Sequence, residues 1–96
     1  MRLAARTDDN QTAIVKALRR AGCRVMSLAA VGNGCPDLIV LRGDPKGAHT
    51  IRLLEIKDGN KPPSRRKLTP HQIKFHQDWP VTVVTDVIEA MRAVGL

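Results

Sequence analysis

Apolar residues recur along this chain at helical spacing in some segments and form short strand-like runs in others. In chain order they predict a helix, three strands, a helix, a strand and a final helix. Asp8, Asp9 or Asn10 can cap the start of the first helix, and Gly22 can end it. Within that helix, apolar residues recur at intervals of three and four, which is the spacing of one helical face: Ala13, Ile14, Ala17, Leu18 and Ala21.

Short apolar segments bounded by turn residues predict the four strands. They cover residues 24–29, 38–42, 50–57 and 81–84, and residues 43–47 predict a hairpin turn between the second strand and the third. Two segments have the spacing of a capping box, in which the side chain of the fourth residue bonds back to the backbone of the first. Residues 69–72 (Thr-Pro-His-Gln) and 86–89 (Asp-Val-Ile-Glu) therefore predict the starts of the second and third helices.

Length and charge indicate a single basic domain over residues 1–96. The chain has 16 Lys and Arg against 9 Asp and Glu, and its formal net charge of +7 favours binding to polyanions such as nucleic acid. It contains neither an apolar signal region nor an apolar run of the ~20 residues that span a bilayer. We therefore expect a cytoplasmic protein with no membrane partner.

Cysteine and histidine spacings do not favour a zinc site or a redox motif. Cys23 and Cys35 lack the Cys-x-x-Cys spacing, so we expect both to remain reduced thiols. His71 and His76 are five apart, without paired cysteines nearby, and are expected to be surface residues, as is His49.

Three ionisable residues provide the candidate chemistry. Asp37 precedes the second strand, and Glu55 and Lys57 end the third. Residues two apart on a strand face the same way, so Glu55 and Lys57 share one face while Ile56 points into the core. If the Asp37 strand lies beside them, two carboxylates converge, which suits a hard cation such as Mg²⁺, with Mn²⁺ as a substitute.

The order of three segments resembles the PD-(D/E)XK nuclease superfamily. They are residues 34–38 (Gly-Cys-Pro-Asp-Leu), 54–57 (Leu-Glu-Ile-Lys) and 68–72 (Leu-Thr-Pro-His-Gln), and together they look like the small stand-alone VRR-NUC nucleases of bacteria and phages. This resemblance implies an α/β fold with a restriction-endonuclease-like αβββαβα core, in which helices flank a mixed central sheet. A bacterial or phage-infected cytosol is the location it implies.

The resemblance also implies roles for individual residues in hydrolysis of a DNA phosphodiester. Asp37, Glu55 and the Ile56 carbonyl would hold Mg²⁺. Lys57 would orient the attacking water or stabilise the charge that builds on the phosphate. Gln72 matches a glutamine or lysine that reaches the active site from the helix after the Glu-x-Lys strand; alternatively, it only closes the capping box.

The first helix departs from the family pattern. Relatives place a glutamate early in that helix as an additional metal ligand, whereas this chain has no glutamate before Glu55. Asp8, Asp9 or Gln11 could take the role, and Asp8 and Gln11 share a helical face. The alternative is that the aspartates only cap the helix and offset its dipole.

A basic segment follows the candidate site. Residues 58–67 are long for a connection in so small a domain and carry Lys61, Arg65, Arg66 and Lys67. The segment is either a solvated loop or a mobile arm that contacts the DNA phosphates.

Three functions remain open at the level of sequence. The resemblance favours a homodimeric Holliday-junction resolvase, with apolar residues of the first helix, or Phe75 and Trp79, as its interface. Pairing would also let a small domain bury its remaining apolar surface. The alternatives are a monomeric flap or nicking endonuclease and a catalytically silent nucleic-acid-binding module.

Overall fold

The predicted order of helices and strands is present in the computed structural model, which describes residues 10–96. Short turns separate most of the elements, and a 3₁₀ turn lies within the basic segment. The elements are α1 (Gln11–Arg20), β1 (Arg24–Ser27), β2 (Leu38–Gly43), β3 (His49–Ile56), the 3₁₀ turn (Pro63–Arg65), α2 (Pro70–Asp78), β4 (Val81–Val84) and α3 (Val87–Ala93).

The four strands form one mixed sheet in the order β1-β2-β3-β4. β1 pairs with β2 and β2 with β3 in antiparallel fashion, whereas β3 and β4 are parallel. A parallel pair needs a crossover, and α2 lies in this one. The α/β class is therefore confirmed, as is the hairpin between β2 and β3, where the Asp44 amide donates to the Ala48 carbonyl at 2.9 Å.

One face of the sheet packs with α1 and α3 to form the hydrophobic core. Alternate strand residues turn toward α1 and α3, and each of these buried side chains is at most 1% exposed. They are Leu38, Val40, Leu54, Ile56 and Val84 from the sheet, Ile14 and Leu18 from α1, and Ala90 and Val94 from α3. Ile14 and Leu18, the large apolar residues predicted for the first helix, are completely buried inside their own domain and are not available to a dimer interface.

The opposite face, called here the open face, has a different composition. The strand register places Met26, Ile39 and Leu53 in one row across it, next to a row with Leu41 and Ile51. Met26 is 63% exposed and Ile51 58%. Side chains of this apolar part border a depression of about 640 Å³.

The predicted capping pattern is complete at one helix start, half formed at a second and not made by Asn10 at the third. At α2 the box is complete between Thr69 and Gln72. At α3 the Asp86 carboxylate accepts from the Glu89 amide at 2.7 Å, but the Glu89 carboxylate reaches Thr85 instead of Asp86, so that box is half formed. Asn10 precedes α1 without a side-chain cap. Asp8 and Asp9, the other predicted caps, lie outside the described residues.

Two further expectations can be compared with residues 10–96. Cys23 and Cys35 are free thiols, as predicted. Over the same range, the helices are all too short or too polar to cross a bilayer.

Candidate active site

Asp37 and Glu55 lie where the pairing of β2 with β3 ends. The terminal pair of that register is Leu38 with Leu54, and Asp37 and Glu55 each lie one position beyond it. Asp37 Oδ2 accepts a hydrogen bond from the Ile56 amide at 2.7 Å, which fixes this carboxylate against β3. Glu55 is only 2% exposed, although it belongs to the open face. Both carboxylates are therefore fixed at the same end of β3, although they are 18 positions apart in the sequence.

Lys57 extends the site toward α2. Its amide donates to the Val84 carbonyl at 3.0 Å, so its backbone continues the β3–β4 pairing beyond Ile56. Its ammonium donates to Gln72 Oε1 at 3.0 Å. The ammonium is therefore held at one end of the carboxylate pair by a neutral acceptor.

Gln72 performs two structural roles with one side-chain position. Gln72 Oε1 accepts from the Thr69 backbone amide at 2.9 Å and also from the Lys57 ammonium. The backbone amide of Gln72 donates to Thr69 Oγ1 at 3.2 Å. The interpretation of capping and contact with the site as alternatives for a single rotamer is wrong, because a carbonyl oxygen has two lone pairs and here uses both. The capping box consequently fixes the oxygen that positions Lys57.

Gly34 holds the loop before Asp37 against the start of α2. Its φ is +81°, and a Cβ built on it would collide with the carbonyl of His71. Only glycine allows this backbone conformation together with so close an approach. The loop that carries Asp37 and the helix that carries Gln72 are thereby packed together at the site.

Two residues near the site have shifted pKa values. Burial, and then the charges of Glu55 and Asp37, raise the pKa of the Cys35 thiol. Burial, and then the charge of Lys57, lower the pKa of His76. His49 and His71 are exposed, as expected, whereas His76 is half-buried, and its Nε2 is buried without a hydrogen-bond partner within residues 10–96. Helical spacing is the signal that could have located it, since it follows Gln72 by four positions on α2.

The start of α1 lies at the end of β3. Asn10 Nδ2 donates to the Thr85 carbonyl at 2.8 Å and to the Lys57 carbonyl at 3.3 Å. Gln11 follows and is 8% exposed; its Oε1 is buried and has no hydrogen-bond partner in the described part of the chain. Of the residues considered for the role of the family's glutamate, Gln11 is placed at this end of the sheet, and Asp8 and Asp9 lie outside the described residues.

The donor set fits a hard divalent cation. Asp37 and Glu55 provide carboxylate oxygens, the ligands that Mg²⁺ accepts while it keeps several waters. Gln11 adds a buried amide oxygen that receives no hydrogen bond from residues 10–96. In residues 10–96 no group of three or more His, Cys, Asp or Glu side chains comes together as a metal-holding cluster. The resemblance assigns the Ile56 carbonyl to the metal. The amide of the same residue donates to Asp37, so the Ile56 backbone lies at the site.

The basic segment is partly ordered by its own backbone bonds. The Arg65 amide donates to the Pro62 carbonyl at 2.8 Å, and the Arg66 amide donates to the Pro63 carbonyl at 3.1 Å. The side chains of Arg65 and Lys67 are exposed, while those of Lys61 and Arg66 are half-buried. The segment starts directly after Lys57, so its charges lie on the chain next to the carboxylate pair.

Comparisons of the chain with family models, with curated proteins and with solved structures gave no match. The residues that bear on function are therefore those of the site: Asp37 bonded to the Ile56 amide, the buried Glu55, the Lys57 ammonium held by Gln72, and Gln11 with its buried amide oxygen.

Proposed function

We propose that this protein is a Mg²⁺-dependent endonuclease that hydrolyses phosphodiester bonds in branched DNA. The observation that carries the proposal is the position of two carboxylates and an ammonium at the end of β3: Asp37 bonded to the Ile56 amide, the buried Glu55, and Lys57 directly after the strand. Burial of a carboxylate is costly for folding, and an apolar residue at position 55 would pack on the sheet without this cost. A catalytic use of the charges explains their presence better than packing does.

The residues of the site have separate roles in binding the cation, stabilising charge and positioning the ammonium. Asp37, Glu55 and Gln11 are the oxygen ligands that would hold the cation. When bound, the cation supplies Lewis-acid chemistry, which makes water more acidic and draws charge from the phosphoryl oxygens. Lys57 places a positive charge where negative charge builds on the phosphate, and Gln72 keeps that ammonium in position.

Charge supports nucleic acid as the substrate. The formal charge of +7 attracts a polyanion, and phosphate contacts provide most of the affinity of such a protein. Lys61, Arg65, Arg66 and Lys67 follow the site along the chain and are the contacts that we assign to the DNA backbone.

A homodimer that resolves four-way junctions is the form of this enzyme that we propose. Two copies related by a two-fold axis would present two sites to a junction that has the same symmetry. The exposed side chains of Met26 and Ile51 on the open face support this pairing, since Ile14 and Leu18 of α1 are buried within the domain. Arg19 and Arg24 border this patch, so pairing would bring like charges of the two copies together. Salt screens this repulsion, and we therefore expect salt to strengthen the pairing while it weakens DNA binding.

A cleavage assay tests the proposal on labelled duplex, flap and four-way-junction DNA of equal length, with and without Mg²⁺ or Mn²⁺. We expect cation-dependent cleavage of the branched substrates, abolished in Glu55→Gln and retained in the matched variant Asp44→Asn. Asp44 also carries a carboxylate that accepts backbone hydrogen bonds, but it lies in the hairpin turn at the far end of β2 and β3.

The possible results separate the alternatives. Cleavage without a divalent cation, or undiminished cleavage by Glu55→Gln, would contradict the site. Binding of junctions without cleavage of any substrate would identify the silent module. Cleavage of flaps by a protein whose light-scattering mass stays near 10.5 kDa would favour the monomeric enzyme.

A further inference from the structure

A second depression, distinct from the carboxylate pair, lies between α2 and the loop that follows β1. Its volume is about 340 Å³, which is within the size range of small-ligand sites. It is lined by Asn33, His71, Lys74, Phe75, Asp78 and Trp79.

The wall of this depression contains an aromatic stack. The rings of Phe75 and Trp79 are 5.8 Å apart at an angle of 18°, which is an offset-stacked pair. Trp79 is nevertheless 55% exposed, so the indole has ring surface that its partner does not cover. Trp79 is therefore not a core residue, and its uncovered ring surface is accessible to a further planar group.

Polar groups of both kinds surround the aromatic stack. Asn33, at a φ of +56°, offers an amide donor and acceptor, and Asp78 offers acceptors. Lys74 and His71 add donors, and the lysine adds a positive charge. A nucleobase with an attached phosphate has the matching features: a flat ring, polar edges and a negative charge. A purely apolar partner would leave these polar groups without hydrogen bonds.

The same helix connects the depression to the candidate active site. Gln72, which holds the Lys57 ammonium, precedes Phe75 by three positions on α2. Gly34, packed against His71, precedes Asp37 by three positions and follows Asn33 directly. A nucleotide in the depression would therefore lie along a chain whose next phosphates can approach the carboxylate pair.

We propose that this depression binds an unpaired nucleobase of the DNA substrate by stacking on Trp79. Bases within a duplex are stacked on their neighbours and would have to leave the helix first, at an energetic cost that unpaired bases at branch points avoid. The site would therefore direct the enzyme toward branched or single-stranded DNA. This inference rests on the proposed function for its substrate, but its binding step needs no catalysis.

Fluorescence of Trp79 provides a direct test, because it is the only tryptophan of the chain. The probes are a short oligothymidylate and an abasic oligonucleotide of equal length and charge, added to Glu55→Gln protein without divalent cations. We expect the oligothymidylate to quench the emission and the abasic strand to bind more weakly without quenching. Loss of one stacked base corresponds to about 5- to 100-fold in affinity.

Matched variants separate stacking from folding. Measured by anisotropy of a labelled oligothymidylate, Trp79→Ala should lose about 5- to 100-fold in affinity, while Trp79→Phe keeps most of it. Ile88→Ala, which removes an exposed apolar side chain from α3, should bind as the parent protein does. Thermal unfolding verifies that Trp79→Ala is folded.

Two results would overturn the base site. One is equal affinity for the thymidylate and abasic strands; the other is a Trp79 emission change that depends on protein concentration without DNA, which would assign the depression to a second copy of the chain. Base-dependent quenching in a protein that cleaves no substrate would support the base site and refute the nuclease. Cleavage without base-dependent binding would support the nuclease and refute the base site.

Discussion

The two faces of the sheet differ in what they contribute, although the same strands build both. On β3, Leu54 and Ile56 point into the core and are at most 1% exposed, whereas Glu55, between them, belongs to the open face beside Asp37. A period of two lets one strand supply packing on one side and chemistry on the other. The comparison indicates that stability and activity can be changed separately by mutating neighbouring residues, and each prediction below tests this separation.

The largest effect is expected from neutralising the carboxylates. Asp37→Asn or Glu55→Gln should reduce the cleavage rate by about 1,000-fold or more, since each change removes a ligand on which the cation depends. An asparagine oxygen can still accept from the Ile56 amide, and glutamine avoids burying a charge, so the free energy of unfolding should stay equal or rise. Rates at saturating Mg²⁺ and urea unfolding curves measure the two quantities. A variant that loses both equally would contradict the division between the faces.

The neighbouring core position should show the opposite pattern. Leu54→Ala should reduce the free energy of unfolding by about 2–5 kcal/mol through the cavity that it leaves. The cleavage rate per folded molecule should remain near that of the parent protein. Ile51→Ala is the matched control on the same strand; its side chain is exposed, so about 0.5 kcal/mol or less is expected. Denaturant unfolding checks both variants, and an equal loss in the two would refute the assigned core.

The Gln72 side chain lets capping and active-site support be separated. Gln72→Ala removes its bonds to Thr69 and Lys57, so we expect about tenfold slower cleavage. Thr69→Ala removes the cap acceptor but keeps the Gln72 side chain, so both variants should lose about 1 kcal/mol of stability. Only Gln72→Ala should lose the larger part of its activity. Equal rates in the two variants would reduce Gln72 to a capping residue.

The basic segment should affect binding rather than catalysis. Neutralising its four cations should weaken binding to all DNA sequences and lower the slope of log affinity against log salt by about three to four. The changes are Lys61→Gln, Arg65→Gln, Arg66→Gln and Lys67→Gln. A control with the same net charge carries Lys16→Gln, Arg20→Gln, Lys46→Gln and Arg92→Gln, all exposed positions elsewhere. If the control lowers the slope as much, the DNA surface lies outside the segment.

The smallest effect concerns the pH dependence of stability. The pKa of His76 is lowered from its ordinary 6.5 by burial and by Lys57, so the unfolded chain takes up a proton before the folded one does. Its contribution to stability is present above pH 6.5 and is lost as the pH falls through the lowered value. His76→Gln should therefore lose less stability than the parent protein between pH 7.5 and 5. His71→Gln, an exposed position on the same helix, serves as the control in unfolding curves.

Much of the fold could be predicted because local patterns decide it. The strand over residues 81–84 has the predicted bounds, and the other strand ends differ by one or two residues, because sheet pairing rather than propensity sets where a strand stops. β1 ends at Ser27 instead of residue 29; beyond it the Leu28 amide donates to the Asp37 carbonyl, and the Ser27 hydroxyl accepts from the Ala29 amide. The Thr69 cap was also predictable, since all of its partners lie within four residues.

The candidate site was only partly predictable. Asp37, Glu55 and Lys57 were recognised because ionisable groups on strands with apolar neighbours are unusual. The surroundings of Cys35 and His76 were missed, since no local pattern marks a cysteine beside carboxylates or a histidine beside a lysine on another element. The same holds for Asn10, which acts as a long-range donor to the ends of β3 and β4 instead of as a helix cap.

The sequence by itself determined which strand residues alternate between the two faces of the sheet, where helices begin, and that Glu55 and Lys57 share a face. Each of these features depends on neighbours a few positions away. Only the tertiary structure decided that Asp37 accepts from the Ile56 amide beside Glu55, that Gln72 bonds Thr69 and Lys57 at once, and that Gln11 is buried. Strand register and the packing of α2 against the Gly34 loop bring together groups that are 15 or more positions apart. Contacts at such separations depend on how the whole chain closes, and no local pattern specifies them.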